Sequence, residues 1–215
     1  MGNQFPIDKF TAENIIRTHN YKESFQQLNP VNTKFCDKAH VRESDAFSKY
    51  ARVDPLTGLL EPIKVHSNFC LAFTIIGLCG IDPTTIAFDY YIHRGRNTSE
   101  YFVDAIKQSI RKGFLKEYDT LILDNASIHR FGAARKFCDW LWTNHHIFLL
   151  FLPTRSPELN PIEMIWNIHL QRLRMYRREV EGFENNVLDI LDHILDHITH
   201  DDVKKCYKKC ISTNF

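Results

Sequence analysis

The sequence predicts an α/β protein, a mixed five-stranded sheet flanked by helices, and three observations carry that expectation. Two β-rich runs, residues 69–77 and 84–92, are joined by the turn-forming stretch Cys79-Gly80-Ile81-Asp82-Pro83, as hairpin strands are. Two later segments repeat apolar residues at helical spacing. Two short runs, Leu121-Ile122-Leu123 and residues 147–152, are apolar throughout, as strands covered on both faces are.

Residues 1–30 place Phe10, Ile15, Ile16, Phe25 and Leu28 among polar residues, a pattern for one or two short helices ahead of the core. Residues 32–37 read as a first strand closing on Asp37, and the hairpin strands are expected beside it as an antiparallel trio. Between Val41 and Ser67 the sequence is loop-rich, with Asp54-Pro55-Leu56-Thr57-Gly58 reading as a turn. Residues 98–114 predict a helix through Tyr101, Phe102, Ala105, Ile106, Ile110 and Phe114, with Thr98 or Ser99 as its cap. Leu121-Ile122-Leu123 is the next strand and presents Asp124 at its C-terminal end, where open α/β sheets place their ligands. Residues 131–143 predict a second helix whose Trp140 and Trp142 read as core and groove residues. After the strand at 147–152, Pro153 to Pro157 forms a rigid loop, and Asn160-Pro161 has the grammar of a helix start, Asn at Ncap and Pro at N1. A last amphipathic helix carries Val187, Ile190, Leu191, Ile194, Leu195 and Ile198 on one stripe, leaving His193 and His197 with Asp189, Asp192 and Asp196 on the polar side. The expected division is a short helical segment over 1–30, a catalytic domain over 31–180, and an amphipathic helix with a basic tail over 181–215.

A chain of 215 residues that is 44% hydrophobic is long enough for one domain with a sizeable core. The formal net charge of +1 excludes a uniformly basic nucleic-acid binder, so any phosphate-binding surface has to come from local clustering. The six cysteines lack Cys-x-x-Cys pairs, no secretory signal precedes them, and they read as reduced intracellular thiols. No apolar stretch approaches the roughly 18 residues that span a membrane.

Three acids stand where chemistry is usually built: Asp37 and Asp124 at strand ends, and Glu163 in the first turn of a helix. Each has a structural alternative. Asp37 would cap a turn, Asp124 would make an Asx-turn, and Glu163 would close a capping box with Asn160. Beyond Glu163, Arg172, Arg174, Arg177 and Arg178 form a basic run suited to a track of phosphates, and Lys204, Lys205, Lys208 and Lys209 form a second cluster.

Asp124-Asn-Ala-Ser-Ile-His129 and Leu152-Pro-Thr-Arg-Ser-Pro-Glu-Leu-Asn-Pro-Ile-Glu-Met-Ile-Trp166 together resemble the catalytic core of the mariner-like transposases, DDE superfamily endonucleases with an RNase H-like fold. The resemblance covers about residues 30 to 180. It implies a metal-dependent enzyme that cuts DNA at transposon ends and joins the freed 3′ hydroxyl to target DNA. It also implies that Asp37, Asp124 and Glu163 are its triad, with Asp37 bridging two Mg²⁺ or Mn²⁺ ions and the other two holding one each. Gathered carboxylates repel one another unless cations accept them, and hard oxygen donors suit these ions. Two such ions activate the attacking oxygen and stabilise the leaving one.

By the same resemblance Asn125, His129 and Asn160 support the site or touch substrate, Arg172, Arg174, Arg177 and Arg178 contact DNA, and the protein works as a homodimer on paired ends. In a eukaryote it would be nuclear. The family usually has an acid after its first aspartate, where Lys38 stands here. The family also carries an N-terminal helix-turn-helix region, and thirty residues cannot hold a complete one. Those two departures fit a second expectation, a decayed or domesticated derivative that keeps a DNA- or protein-binding surface.

Overall fold

The computed structural model describes residues 28–42, 72–95, 98–124, 133–152, 157–175 and 184–211. Its centre is one five-stranded sheet of β1 (Thr33–Arg42), β2 (Ala72–Cys79), β3 (Phe88–Arg94), β4 (Thr120–Leu123) and β5 (Phe148–Phe151), in the order β3-β2-β1-β4-β5. β1, β2 and β3 are the expected antiparallel trio, and β4 and β5 join parallel. The helices are α1 (Ser99–Arg111), α2 (Ala133–His145), α3 (Pro161–Met175), α4 (Glu184–Asp196) and α5 (His200–Ile211). The hairpin strands lie a few residues downstream of their expected positions.

Side chains alternate across the sheet and give it two cores. Phe35, Ile75 and Ile122 face a cluster that takes Ile162, Ile165 and Trp166 from α3, Leu191 and Leu195 from α4, and Val203 and Tyr207 from α5. Cys36, Ile76, Leu121 and Leu123 face the other way, onto Phe102 and Ile106 of α1 and Phe137 and Leu141 of α2. Both faces of β4 are therefore apolar, which is why its sequence shows no alternation.

Helix boundaries follow local chemistry. Thr98 caps α1 through its hydroxyl, which accepts from the Tyr101 N–H at 3.5 Å. The helix ends at Arg111 rather than continuing to Phe114, because Gly113 takes φ +74° and closes a Schellman motif. In that motif the Phe114 N–H returns to the Ser109 carbonyl at 3.1 Å and the Gly113 N–H to Ile110 at 2.9 Å.

On α2 the expected placement of the tryptophans is corrected. Trp140 and Trp142 are 37% and 44% exposed, because the buried stripe is Phe137 and Leu141 and the two indoles fall beside it. Trp140 stacks on the Phe137 ring at 5.2 Å instead of inserting.

At the N-terminal end of β1 a polar network pins α5 to the sheet. The Tyr207 hydroxyl, fully buried, stands 2.9 Å from the Thr33 carbonyl and 3.0 Å from that of Cys79, and donates to them. Lys34 is also fully buried; its Nζ donates to the Val31 carbonyl at 2.9 Å and lies 3.9 Å from Asp82. Residues 1–27, the turn at 54–58 and Cys70 lie outside the described residues.

Candidate active site

Asp37 is not the last residue of its strand, as the pattern suggests, but sits inside β1. Residues Lys38 to Arg42 continue the ladder with β2, whereas the parallel ladder with β4 stops at Cys36 and Leu123. The next residues along both parallel strands are Asp37 and Asp124, so the register sets the two aspartates side by side where β4 ends. By alternation Asp37 shares the face of Phe35, toward α3, and it is 5% exposed; Asp124 is half-buried.

The third acid arrives on α3. Asn160 caps that helix, its Oδ1 accepting from the Ile162 N–H at 3.4 Å, with Pro161 in the first position where no N–H is needed. The capping box offered as an alternative for Glu163 does not form. The Asn160 N–H that the glutamate would reach is already donated to the Pro157 carbonyl at 3.0 Å. Glu163 instead lies close enough to Asp37 for its charge to raise that carboxyl.

Asn160 also reaches the aspartate, its Nδ2 donating to Asp37 Oδ2 at 3.4 Å, while the Lys38 N–H donates to Asp37 Oδ1 at 2.7 Å. One residue thus fixes where α3 starts and where Asp37 points.

Electrostatics record the same convergence. Burial, then the charges of Glu163 and Asp124, push the Asp37 carboxyl up to about 8, against the opposing pull of the Lys38 N–H and Trp166. Glu163 is raised as well, by burial and then by Asp124, with Asp37 acting the other way. Three oxygen donors from three distant segments lie within one another's fields. Among the described residues no group of three or more His, Cys, Asp or Glu side chains is preassembled at metal-binding geometry. The donor set nevertheless fits a hard divalent cation, because the burial and then the repulsion that raise these acids are both offset by a dication.

Asn125, His129, Arg177 and Arg178 lie outside the described residues. Arg174 is exposed at the end of α3. Arg172, expected in the phosphate track, also has partners within the fold: its Nη1 donates to the His197 carbonyl at 3.0 Å and its Nη2 to Asp202 at 3.1 Å. It ties α3 to the junction of α4 and α5, with its charge paired inside the fold. Further along α3, His169 is fully buried with neither ring nitrogen hydrogen-bonded, and burial followed by Arg172 lowers it to about 4.

The sequence pattern gave no role to Gly77 or Trp166. Gly77 is the cross-strand partner of Asp37, and a Cβ there would come within 2.5 Å of Trp166 Cη2 and 2.6 Å of Phe88 Cζ. A glycine interrupting an apolar strand was the available signal.

A sheet of this order, with acids meeting at the end of its parallel ladder and helices on both faces, is the RNase H-like fold of the DDE enzymes. A family profile described as DDE superfamily endonuclease matches residues 74–185, and the chain belongs to that family. Among solved structures, the Mos1 mariner paired end complex with Mn superposes at TM-score 0.65 and 15% identity, over 99% of this chain and 63% of that one. The pre-cleavage Mos1 transpososome gives 0.63 at 14% identity, over 100% and 67%. The isolated catalytic domain of Mos1 mariner transposase gives 0.60 at 12%, over 97% of this chain and 95% of that one. The chain thus shares the fold of that catalytic domain and spans 61% of the transposase chain in the Mos1 paired-end complex with left transposon end. None of the curated proteins matches it. Among the described residues no helix is long and apolar enough to cross a membrane.

Proposed function

We propose that this chain is a transposase catalytic domain that cleaves DNA at transposon ends and transfers the freed strand, with Asp37, Asp124 and Glu163 holding two Mg²⁺ or Mn²⁺ ions. The observation that carries the reading is the meeting of three acids from β1, the end of β4 and the start of α3, each altering the protonation of another. The ions, when bound, activate the attacking oxygen and stabilise the leaving one in an in-line displacement.

The chain's own residues do the rest. Asp37, which accepts from the Lys38 N–H and the Asn160 amide, presents a buried carboxylate to the site. Asp124, half-buried beside it, and Glu163, exposed in the first turn of α3, complete the donor set. Arg174, exposed at the far end of α3 from Glu163, is a contact for DNA phosphate, joined in this reading by Arg177 and Arg178. Asn125 and His129 follow Asp124 in the sequence, and in this reading they support the site or touch substrate. Mos1, whose fold this chain shares, has been captured with transposon-end DNA and with Mn, which supports DNA and a divalent ion as its ligands. The reading extends to a homodimer on paired ends, to a nuclear protein in a eukaryote, and to 31–180 as the catalytic unit between a short segment over 1–30 and a C-terminal segment over 181–215.

A second reading, a domesticated derivative without catalysis, draws on Lys38 standing where the family usually has an acid. Calorimetry with Mn²⁺, alongside nicking of supercoiled plasmid, separates the two. Binding and nicking by the wild type, both lost in Asp124→Asn and Glu163→Gln, establish the enzyme. A folded wild type that binds neither ion refutes it and leaves the derivative.

A further inference from the structure

Asn160, Glu163 and Trp166 recur every third residue through the first turns of α3, and all three bear on Asp37. Asn160 donates to it and the charge of Glu163 acts on it. The Trp166 ring meets β2 at Gly77, the cross-strand partner of Asp37, and its buried Nε1 closes no hydrogen bond in this arrangement of the acids. A buried donor is costly to leave unpaired, so an indole N–H in this position needs an explanation that packing alone does not supply. The ring packs edge-on against Phe88 at 5.6 Å, and that packing leaves the N–H without a hydrogen-bond partner.

Gly77 is the other half of the arrangement. It lies opposite Asp37 on β2, and only the missing Cβ lets the tryptophan ring reach down to the strand at that level. Any side chain at 77 would lift the ring, and with it the start of α3 that carries Glu163.

We propose that Trp166 is a positioning residue for the acid site: its indole N–H is the donor that orients the Asp37 carboxylate when that group takes a cation, and Gly77 is the clearance that lets it do so. Each carboxylate oxygen offers two lone-pair directions, so the Lys38, Asn160 and Trp166 donors leave room for an ion. Donors of this kind around a ligand are the usual means of aiming it and raising its affinity. The inference rests on reading Asp37, Asp124 and Glu163 as a divalent-cation site.

The test uses the full chain and Trp166→Phe, which keeps an aromatic ring and removes only the N–H and the second ring. Expected are a Mn²⁺ affinity and a nicking kcat both lower by on the order of 10-fold, with an unchanged KM for DNA and a cooperative unfolding transition. A purely packing role would move the unfolding temperature and leave affinity and kcat alone. Independently, the chain contains three tryptophans, and in the 5-fluorotryptophan-labelled wild type the fluorine resonance missing from Trp166→Phe should shift on titration with Mg²⁺.

Wild-type affinity and kcat in Trp166→Phe overturn the assignment, as does a Trp166 resonance that saturating Mg²⁺ leaves unmoved. Should the variant fail to fold, single-site labelling of Trp166 in the wild type assigns the resonance and the titration decides. A wild type that binds no ion removes the cation-site reading and this inference together; a competent wild type matched by Trp166→Phe removes this inference only.

Discussion

Replacing His169 by leucine should stabilise the protein, and stabilise it more as the pH falls. The ring is fully buried on α3 with both nitrogens unpartnered, and its pKa is lowered from 6.5 to about 4 by burial and then by Arg172. An unsatisfied buried polar group costs about 1–3 kcal/mol, and a volume-conserving swap returns less than about 1.5 kcal/mol of that as imperfect packing. The net gain at pH 7 is about 1 kcal/mol, roughly 2–4 °C in Tm for a chain of this size.

The pH dependence has a definite sign. A base whose folded pKa is lowered binds fewer protons in the fold than in the unfolded chain, so stability is lost as pH falls from 6.5 toward about 4. Between pH 7 and pH 5 that loss amounts to about 2 kcal/mol, at about 1.4 kcal/mol per pH unit. His169→Leu should escape it, so the stability difference between variant and wild type widens by that amount. Urea unfolding at the two pH values, compared as a difference so that the other histidines cancel, measures it. A variant less stable at pH 7, or one that tracks the wild type from pH 7 to 5, would refute the argument.

Three further outcomes are expected. Asp37→Asn should raise the unfolding temperature in chelator at pH 7. An acid with a raised folded pKa makes the fold lose stability as pH climbs from 3.8 to about 8, so the advantage of the variant should shrink toward pH 4. Scanning fluorimetry should also show that Mn²⁺ stabilises the wild type and not this variant; equal stabilisation of both would contradict a ligand role. Tyr207→Phe leaves the Thr33 and Cys79 carbonyls without the hydroxyl they share. It should cost about 1–3 kcal/mol in chemical denaturation, and an unchanged midpoint would mean that the latch between α5 and the sheet is not a stabilising one. Asn160→Ala removes a helix cap and a donor to Asp37, a loss of about 0.5–2 kcal/mol. Asn160→Asp, which restores the cap but places a fourth carboxylate against the three acids, should recover helix stability without recovering Mn²⁺ affinity, read by calorimetry.

What could be read directly from the residues was whatever local chemistry decides. Asn160-Pro161 marks a helix start in any context, because it answers the unsatisfied donors of a first turn. The apolar run at 121–123 declares a strand with both faces covered, and Thr98 declares a cap. From such signals the order of elements, the mixed sheet and three candidate acids all followed.

Only the tertiary structure decided which partners those residues found. Asp37 belongs inside β1 because β2 extends the strand by five more pairs, while β4 stops beside the acid. Glu163 gives up its capping box because the chain folds Pro157 back onto the Asn160 N–H, leaving the carboxylate to Asp37. Arg172, which belongs to a basic run in the sequence, is drawn to a carbonyl and a carboxylate 25 and 30 residues away. Trp140 and Trp142 turn outward because Phe137 and Leu141 already fill the stripe against the sheet. Local preferences act over a turn of helix or a pair of strand residues, whereas a carboxylate's protonation and an arginine's partner depend on groups that meet only when the sheet closes.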